Sequence, residues 1–159
     1  MNRLWTILPI VTVLGFPAVA ADTTAADVAT IRACLADAGS EPHGCIGKIS
    51  DACQELPAGS TTMGVDECLG QEQAAWDVLL NENYLSATAA AKEQDASLVE
   101  QSIEPGAAKS LVKAQRAWIT FRDAECDRRF ELYKDGTIRT NIASSCLLML
   151  TATRALDLQ

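Results

Sequence analysis

The sequence predicts an all-α fold, in which three long helices form a disulfide-stapled bundle behind a short N-terminal helical hairpin. Apolar residues recur at spacings of three and four between residues 65 and 158, which is the helical period. No window alternates apolar and polar residues as a half-buried strand does. Six cysteines within a chain of this length are typical of a disulfide-bonded exported protein.

Residues 1–20 have the features of a secretory signal peptide. Arg3 precedes an apolar run over residues 4–14, and Ala18 and Ala20 supply the small residues that signal peptidase requires. We expect cleavage after Ala20 or, as the near alternative, after Ala21. The apolar run is shorter than the roughly 20 residues that span a bilayer, and Cys34 lies too far on to be a lipidated first residue. The sequence therefore predicts a periplasmic or secreted protein with no membrane anchor after cleavage.

The net charge excludes some classes of partner. The chain has 13 Lys+Arg and 21 Asp+Glu, for a formal charge of −8, and the charge becomes more negative when Arg3 leaves with the signal peptide. Nucleic acids and anionic lipids bind basic surfaces, and this chain is acidic, so neither is an expected partner. A basic protein partner is compatible with this charge, because opposite charges accelerate encounter.

The mature chain divides into a cysteine-rich helical segment, residues 21–60, and a helical domain, residues 61–159. In the first, residues 26–38 are predicted to form a helix ended by Gly39, and residues 42–55 a second helix that begins at Pro42. In the second, a long helix is expected from an N-cap at Thr62 to about residue 101. Another should start with Pro105 in its first turn and end at Asp135-Gly136, and the last should cover residues 140–158.

The six cysteines are expected to form three disulfides, although the sequence alone leaves 15 pairings open. The N-terminal hairpin would bring Cys34 near Cys45, and the turn at Asp135-Gly136 would bring Cys126 near Cys146. Cys53 with Cys68 then follows by elimination. A zinc site is the weaker alternative, because zinc sites use closely spaced cysteine pairs and no such pair is present. We predict no metal and no cofactor.

The chain offers few residues for catalysis. His43 is the one histidine, and it lies in the turn-like sequence EPHG. The sequence has no G-x-S-x-G nucleophile elbow and no Gly-rich phosphate loop, and the cysteines are expected to be paired. We therefore predict that the protein is not an enzyme.

Some polar residues lie among apolar ones on the predicted helices. They are Asn81, Tyr84, Gln115, Trp118 and Arg122, the last three on one helix face. Buried polar groups need partners, since an unpaired one costs about 1–3 kcal/mol. We interpret the set as a structural hydrogen-bond network and treat a binding site as the alternative.

Several segments together resemble the LprI-like family of lysozyme inhibitors over about residues 65–158. They are Cys68, LLNENY at 79–84, AQRAWITFRDAEC at 114–126, DGTI at 135–138, ASSC at 143–146 and Arg154. The resemblance implies a small exported helical protein and possible binding to a basic lysozyme-type hydrolase. This chain departs from the described inhibitor, which is a lipoprotein, in lacking the lipid-attachment cysteine and in adding residues 21–60.

The connection between the last two helices is the candidate partner-binding loop: Lys134, Asp135, Gly136, Thr137, Ile138 and Arg139. A loop held at its base by a disulfide loses little entropy on binding. Its two cations could pair with the two carboxylates of a glycosidase cleft. The alternative is that Gly136 ends a helix and the cations balance the helix dipole. At the level of function, the alternative is a periplasmic structural or interaction module without inhibitory activity.

Overall fold

A computed structural model describes the backbone of residues 19–159 and the side chains from residue 24 onward. This part of the chain forms five α-helices and no strand: α1 (Val19–Asp37), α2 (Lys48–Gln54), α3 (Thr62–Glu100), α4 (Ala107–Leu132) and α5 (Arg139–Asp157). A turn of 3₁₀ helix, Pro42–Cys45, lies between α1 and α2. The prediction of an all-α fold is confirmed.

The predicted signal peptide lies outside the described residues except for its last two, with which α1 begins. Its cleavage stays a prediction. Among the helices of residues 19–159, none is both long and apolar enough to cross a membrane.

Helix α3 is the scaffold of the molecule, because each of the other helices packs against it. Its 39 residues make it about 58 Å long at 1.5 Å per residue. Helix α5 runs parallel to α3: the Thr62 carbonyl accepts a hydrogen bond from Asn141, and Asn83, near the middle of α3, donates one to the Ala155 carbonyl. Helix α4 runs antiparallel to both.

One hydrophobic core joins the N-terminal segment to the long helices. Trp76 of α3 is completely buried and lies at its centre. Ile31 of α1 and Ile49 of α2 pack into the same cluster as Leu79 and Leu148. Since these residues come from both segments, the hairpin in front of α3 forms part of the fold's main core.

All three disulfides form as predicted. Cys34 pairs with Cys45, Cys53 with Cys68 and Cys126 with Cys146, at Cα–Cα distances of 5.8, 5.6 and 5.5 Å. The described residues contain no free cysteine. The bridges link α1 to the 3₁₀ turn, α2 to α3, and α4 to α5, so they hold neighbouring elements together at one end of the bundle.

The single helix predicted over residues 42–55 is wrong. The chain leaves the 3₁₀ turn at Ile46, which is extended, and passes through Gly47 at φ 100°, a conformation that favours glycine. The cause is a buried carboxylate on α3. Glu72, which has no exposed surface, accepts hydrogen bonds from the backbone N–H groups of Gly47, Ile49 and Ser50 at 2.6, 3.0 and 2.7 Å. Its side chain therefore caps the start of α2 from another helix.

Four predicted helix ends also need correction. Helix α1 begins at Val19, seven residues before the predicted start at residue 26. Thr61, one residue before the predicted Thr62, is the N-cap of α3, since its hydroxyl accepts a hydrogen bond from Gly64 N–H at 3.0 Å. Helix α4 begins after Pro105 rather than with it, and it ends at Leu132, before the predicted stop at Asp135-Gly136.

The start of α4 is fixed by Asp95, which lies on α3. The Asp95 carboxylate accepts hydrogen bonds from the N–H groups of Gly106, Ala107 and Ala108 at 2.8–3.0 Å. The bonds from Ala108 and Ala107 are the main causes that hold the pKa of Asp95 below its ordinary value. Both capping carboxylates, Glu72 and Asp95, thus act across elements, and a local N-cap pattern could not have shown them.

Candidate functional site

Three of the five predicted network residues meet on the packed face of α4. Gln115 is buried, and its Oε1 accepts a hydrogen bond from Arg154 Nε at 3.0 Å. Two guanidinium groups lie near the ring of Trp118, those of Arg122 and Arg154, at 5.1 and 5.9 Å from the ring centroid. Each arrangement is within the range of a cation–π contact.

Arg122 has a polar partner on each side. It forms an ion pair with Asp123, with 2.8 Å between Nη2 and Oδ1, and its Nη1 approaches the hydroxyl of the buried Thr151 at 3.5 Å. The contact with Thr151 joins α4 to α5, whereas the ion pair with Asp123 lies within α4. Thr151 and Arg154 also belong to the cluster. The predicted network included neither of them, although Arg154 is among the residues that carry the family resemblance.

Asn81 does not belong to this cluster. It is exposed, and its amide donates within α3 to the Asp77 carbonyl and carboxylate at 2.8 and 3.1 Å. Its neighbour Asn83 makes the interhelical bond instead, donating to the Ala155 carbonyl at 2.7 Å. The helical period could have distinguished them, since Asn83 follows the buried Leu79 and Leu80 by four and three residues. Tyr84 is half-buried beside Asn83.

The predicted binding loop lies at the opposite end of α4 from Asp95. It turns through a hydrogen bond from Gly136 N–H to the Tyr133 carbonyl at 2.9 Å. The Cys126–Cys146 bridge links the two helices that carry it. The loop is thus presented on a covalently held base.

Both predicted cations of the loop have partners in the same segment. Lys134 pairs with Glu131 at 2.8 Å, and these side chains remain 68% and 59% exposed. Arg139 donates to the Gly136 carbonyl at 3.0 Å and lies 5.9 Å from the ring centroid of Phe130. The Lys134 pair contributes little to stability because it is exposed, so a partner's carboxylate could replace Glu131.

The loop and its flank also expose apolar side chains, of which the sequence analysis named only Ile138. Leu132, Tyr133 and Ile138 are 64%, 44% and 49% exposed. Ile138 additionally lines an open groove of about 460 Å³ between α2, α3 and α5. The apolar walls of this groove are Val65, Leu69, Ile138 and Ile142. An aromatic and two aliphatic side chains next to a groove are typical of a protein-binding surface.

Near the end of α4, before the loop, Glu125 forms ion pairs with two arginines. Glu125 accepts hydrogen bonds from Arg128 and from Arg129, at 2.7–2.9 Å. These bonds, led by that of Arg128, lower the pKa of Glu125 to about 2. The carboxylate is therefore ionised throughout the ordinary pH range and stays bonded to the last turns of α4.

The comparisons with known proteins decide the family. Residues 53–158, about two thirds of the chain, match the family model described as "Lysozyme inhibitor LprI". The chain belongs to the LprI family. The match starts before residue 65, where the sequence analysis placed the resemblance, so Cys53 lies inside the LprI region together with its partner Cys68. The Cys34–Cys45 bridge lies outside it. The LprI family is described as one of inhibitors, not of enzymes.

Two bacterial relatives are similar to this LprI chain. "Uncharacterized protein R02472" of Rhizobium meliloti (strain 1021) is 34% identical over 98 residues, which are 61% of this chain and 70% of that protein. "Uncharacterized 17.7 kDa protein in puhA 5'region" of Rhodobacter capsulatus is 29% identical over 157 residues, 96% of this chain and 93% of that protein. The second alignment extends into the N-terminal segment. No solved structure matches the chain.

Proposed function

We propose that this LprI chain is an exported inhibitor of a lysozyme-type cell-wall hydrolase and that it binds the enzyme through the α4–α5 connection. The three disulfides support an extracytoplasmic location, because such bonds persist in oxidising compartments. Family membership supports the inhibitory role. The exposed apolar cluster on the disulfide-held loop is the observation that carries the choice of surface.

The loop combines the features that a cleft-binding inhibitor needs. Tyr133 and Ile138 offer apolar surface that is already exposed, so binding need not unfold any of the helices. Lys134 and Arg139 add positive charge for the carboxylates of a glycosidase cleft. Across the rest of the molecule the net charge is negative, which accelerates encounter with a basic enzyme.

The experiment measures lysis of a bacterial cell-wall suspension by lysozyme in the presence of the mature, disulfide-bonded protein. Wild type should slow lysis when present in micromolar excess at low salt. Two variants should weaken inhibition, Ile138→Asp by removing apolar contact and Lys134→Ala/Arg139→Ala by removing both cations. The control is Lys92→Ala, which removes an exposed cation from the distant half of α3.

Each outcome has a separate meaning. Absence of inhibition by wild type would contradict the function and favour an interaction module without inhibitory activity. Inhibition that the loop variants leave unchanged would contradict only the assignment of the surface.

A further inference from the structure

The outward face of α4 carries a charge pattern that changes sign at its middle. Six exposed charged residues follow one another along this face, three cations and then three carboxylates: Lys109, Lys113, Arg116, Asp123, Asp127 and Glu131. At about 100° of rotation per residue they lie within one narrow stripe. The buried Gln115 and Cys126 lie on the opposite side of the helix. We call these six residues and the small residues between them the α4 stripe.

The α4 stripe is complementary to itself about Thr120. Lys109 lies eleven residues before Thr120 and Glu131 eleven residues after it, while Lys113 and Asp127 lie seven residues to either side. Arg116 and Asp123 complete the pattern nearer the middle. Two copies of α4 placed antiparallel would therefore bring every cation of one copy beside a carboxylate of the other.

We propose that two copies of this chain associate through the α4 stripe, as an antiparallel pair with its two-fold axis at Thr120. The middle of the stripe is suited to close approach, because Ala117, Thr120 and Ala124 are small and exposed. The Thr120 hydroxyl already donates to the Arg116 carbonyl at 3.1 Å, so its burial leaves no donor unpaired.

Apolar side chains flank this middle on both sides. Phe121 is 56% exposed and Ile119 is 40% exposed, and they lie on opposite flanks of the α4 stripe. A two-fold axis at Thr120 places the flank that carries Phe121 next to the same flank of the second copy, and it does the same for the flank that carries Ile119. Each Phe121 therefore lies beside its copy on one flank, and each Ile119 beside its copy on the other. Aromatic residues are enriched at protein interfaces, and this axis brings the two Phe121 side chains, which the monomer leaves in water, to the same edge of the contact.

The association is weak and depends on salt. The α4 stripe extends over about 33 Å, and its ion pairs lie near the surface, where each contributes little and is screened by salt. Arg116 and Lys109 are joined to no carboxylate within the described chain, but Asp123 and Glu131 already pair with Arg122 and Lys134. Neither Lys113 nor Asp127 has an ion pair among residues 24–159. This last pair offers the clearest test.

The test is sedimentation velocity of the disulfide-bonded protein at an ionic strength of about 0.01 M, where the Debye length is about 30 Å. Wild type should show a reversible monomer–dimer equilibrium. Lys113→Glu and Asp127→Lys should each weaken the dimer at least about tenfold, because each reversal makes two attractive contacts repulsive in a symmetric pair. The double variant Lys113→Glu/Asp127→Lys should recover the wild-type dissociation constant. An equimolar mixture of the two single variants should form heterodimers.

Lys48→Glu is the matched control, since it reverses an exposed cation of α2, which packs on α3 and α1, and it should leave the dimer unchanged. Circular dichroism on each variant verifies that the helices persist. The proposal is overturned if wild type stays monomeric up to about 1 mM, or if the control weakens the dimer as much as the stripe variants do. It is also overturned if neither the double variant nor the mixture recovers association.

Discussion

Replacing Glu72 by glutamine should destabilise the protein by about 3 kcal/mol, although the two side chains have nearly the same shape. Glu72 Oε1 accepts hydrogen bonds from Gly47 N–H at 2.6 Å and from the Trp76 indole at 3.0 Å. Oε2 accepts from Ile49 and Ser50 N–H. A glutamine has only one acceptor oxygen, so its amide nitrogen must face two of these donors. Each stranded donor costs about 1–3 kcal/mol, and the smaller cost of burying a neutral side chain offsets part of the sum.

The measurement is thermal and urea unfolding with the disulfides intact. For a domain of this size 1 kcal/mol corresponds to about 3 °C, so the melting temperature should fall by about 10 °C. The urea midpoint should fall without a change in slope, because the surface exposed on unfolding stays the same. Glu67→Gln is the matched control: it makes the same change on an exposed position of the same helix and should stay within about 0.5 kcal/mol of wild type.

A Glu72→Gln variant as stable as the control would refute this reasoning. It would mean that the start of α2 is held by the Cys53–Cys68 bridge and by burial of Ile49, and that the carboxylate merely fills space. Glu72→Ala separates these possibilities further. It strands all four donors and leaves a cavity, so it should cost more than Glu72→Gln.

Three further predictions concern stability. Trp76→Ala should cost about 3–5 kcal/mol and Trp118→Ala clearly less, because only Trp76 is fully buried; urea unfolding of the two variants gives the order. Replacing Cys126 and Cys146 by alanine removes a bridge between residues 20 apart and should cost about 3 kcal/mol in the chain-entropy model, with a matching fall in melting temperature. The lowered pKa of Glu125, about 2, means that its stabilising contribution is complete above the ordinary value of 4.5 and is lost as the pH falls through about 2. Glu125→Gln should therefore melt below wild type at pH 6, and the difference should vanish near pH 2.

The helices and the disulfide pairs could be predicted from the sequence because both depend on local spacing. Helical periodicity placed α3 and α5 within one or two residues of their observed ends. The turn between α4 and α5 was enough to pair Cys126 with Cys146. These inferences need only the geometry of one helix or of one helical hairpin.

The capping of α2 and α4 could not be predicted because it depends on contacts between distant residues. Glu72 and Asp95 read in the sequence as two of many carboxylates on helix faces, which are usually solvated. Each becomes special only because the packing of α3 brings it to the start of another helix, 22–25 residues away for Glu72 and 11–13 for Asp95. A prediction from sequence would have required the tertiary fold first.

The candidate surfaces were predicted in part, and the misses have a common physical cause. Phe121 follows Trp118 by three residues and so fits the apolar repeat of α4, but it lies about 60° from Trp118 and farther still from the packed residues Gln115 and Arg122. The structure leaves it 56% exposed. Apolar spacings of three and four residues fit a helix even when a residue is rotated away from the packed face. The pattern therefore predicts the helix but places Phe121 on the wrong face.

Glu131 connects the two proposed surfaces. In the isolated chain its carboxylate pairs with Lys134 of the binding loop, and in the proposed dimer it meets Lys109 of the second copy. Pairing with Lys109 would release Lys134 toward a hydrolase carboxylate, whereas pairing within the loop competes with the dimer. The side chains remain separable by mutation: Lys109→Glu should weaken association while the monomer still inhibits, and Lys134→Ala should weaken inhibition while association persists. Loss of inhibition together with association in Lys109→Glu would instead indicate that inhibition requires the dimer.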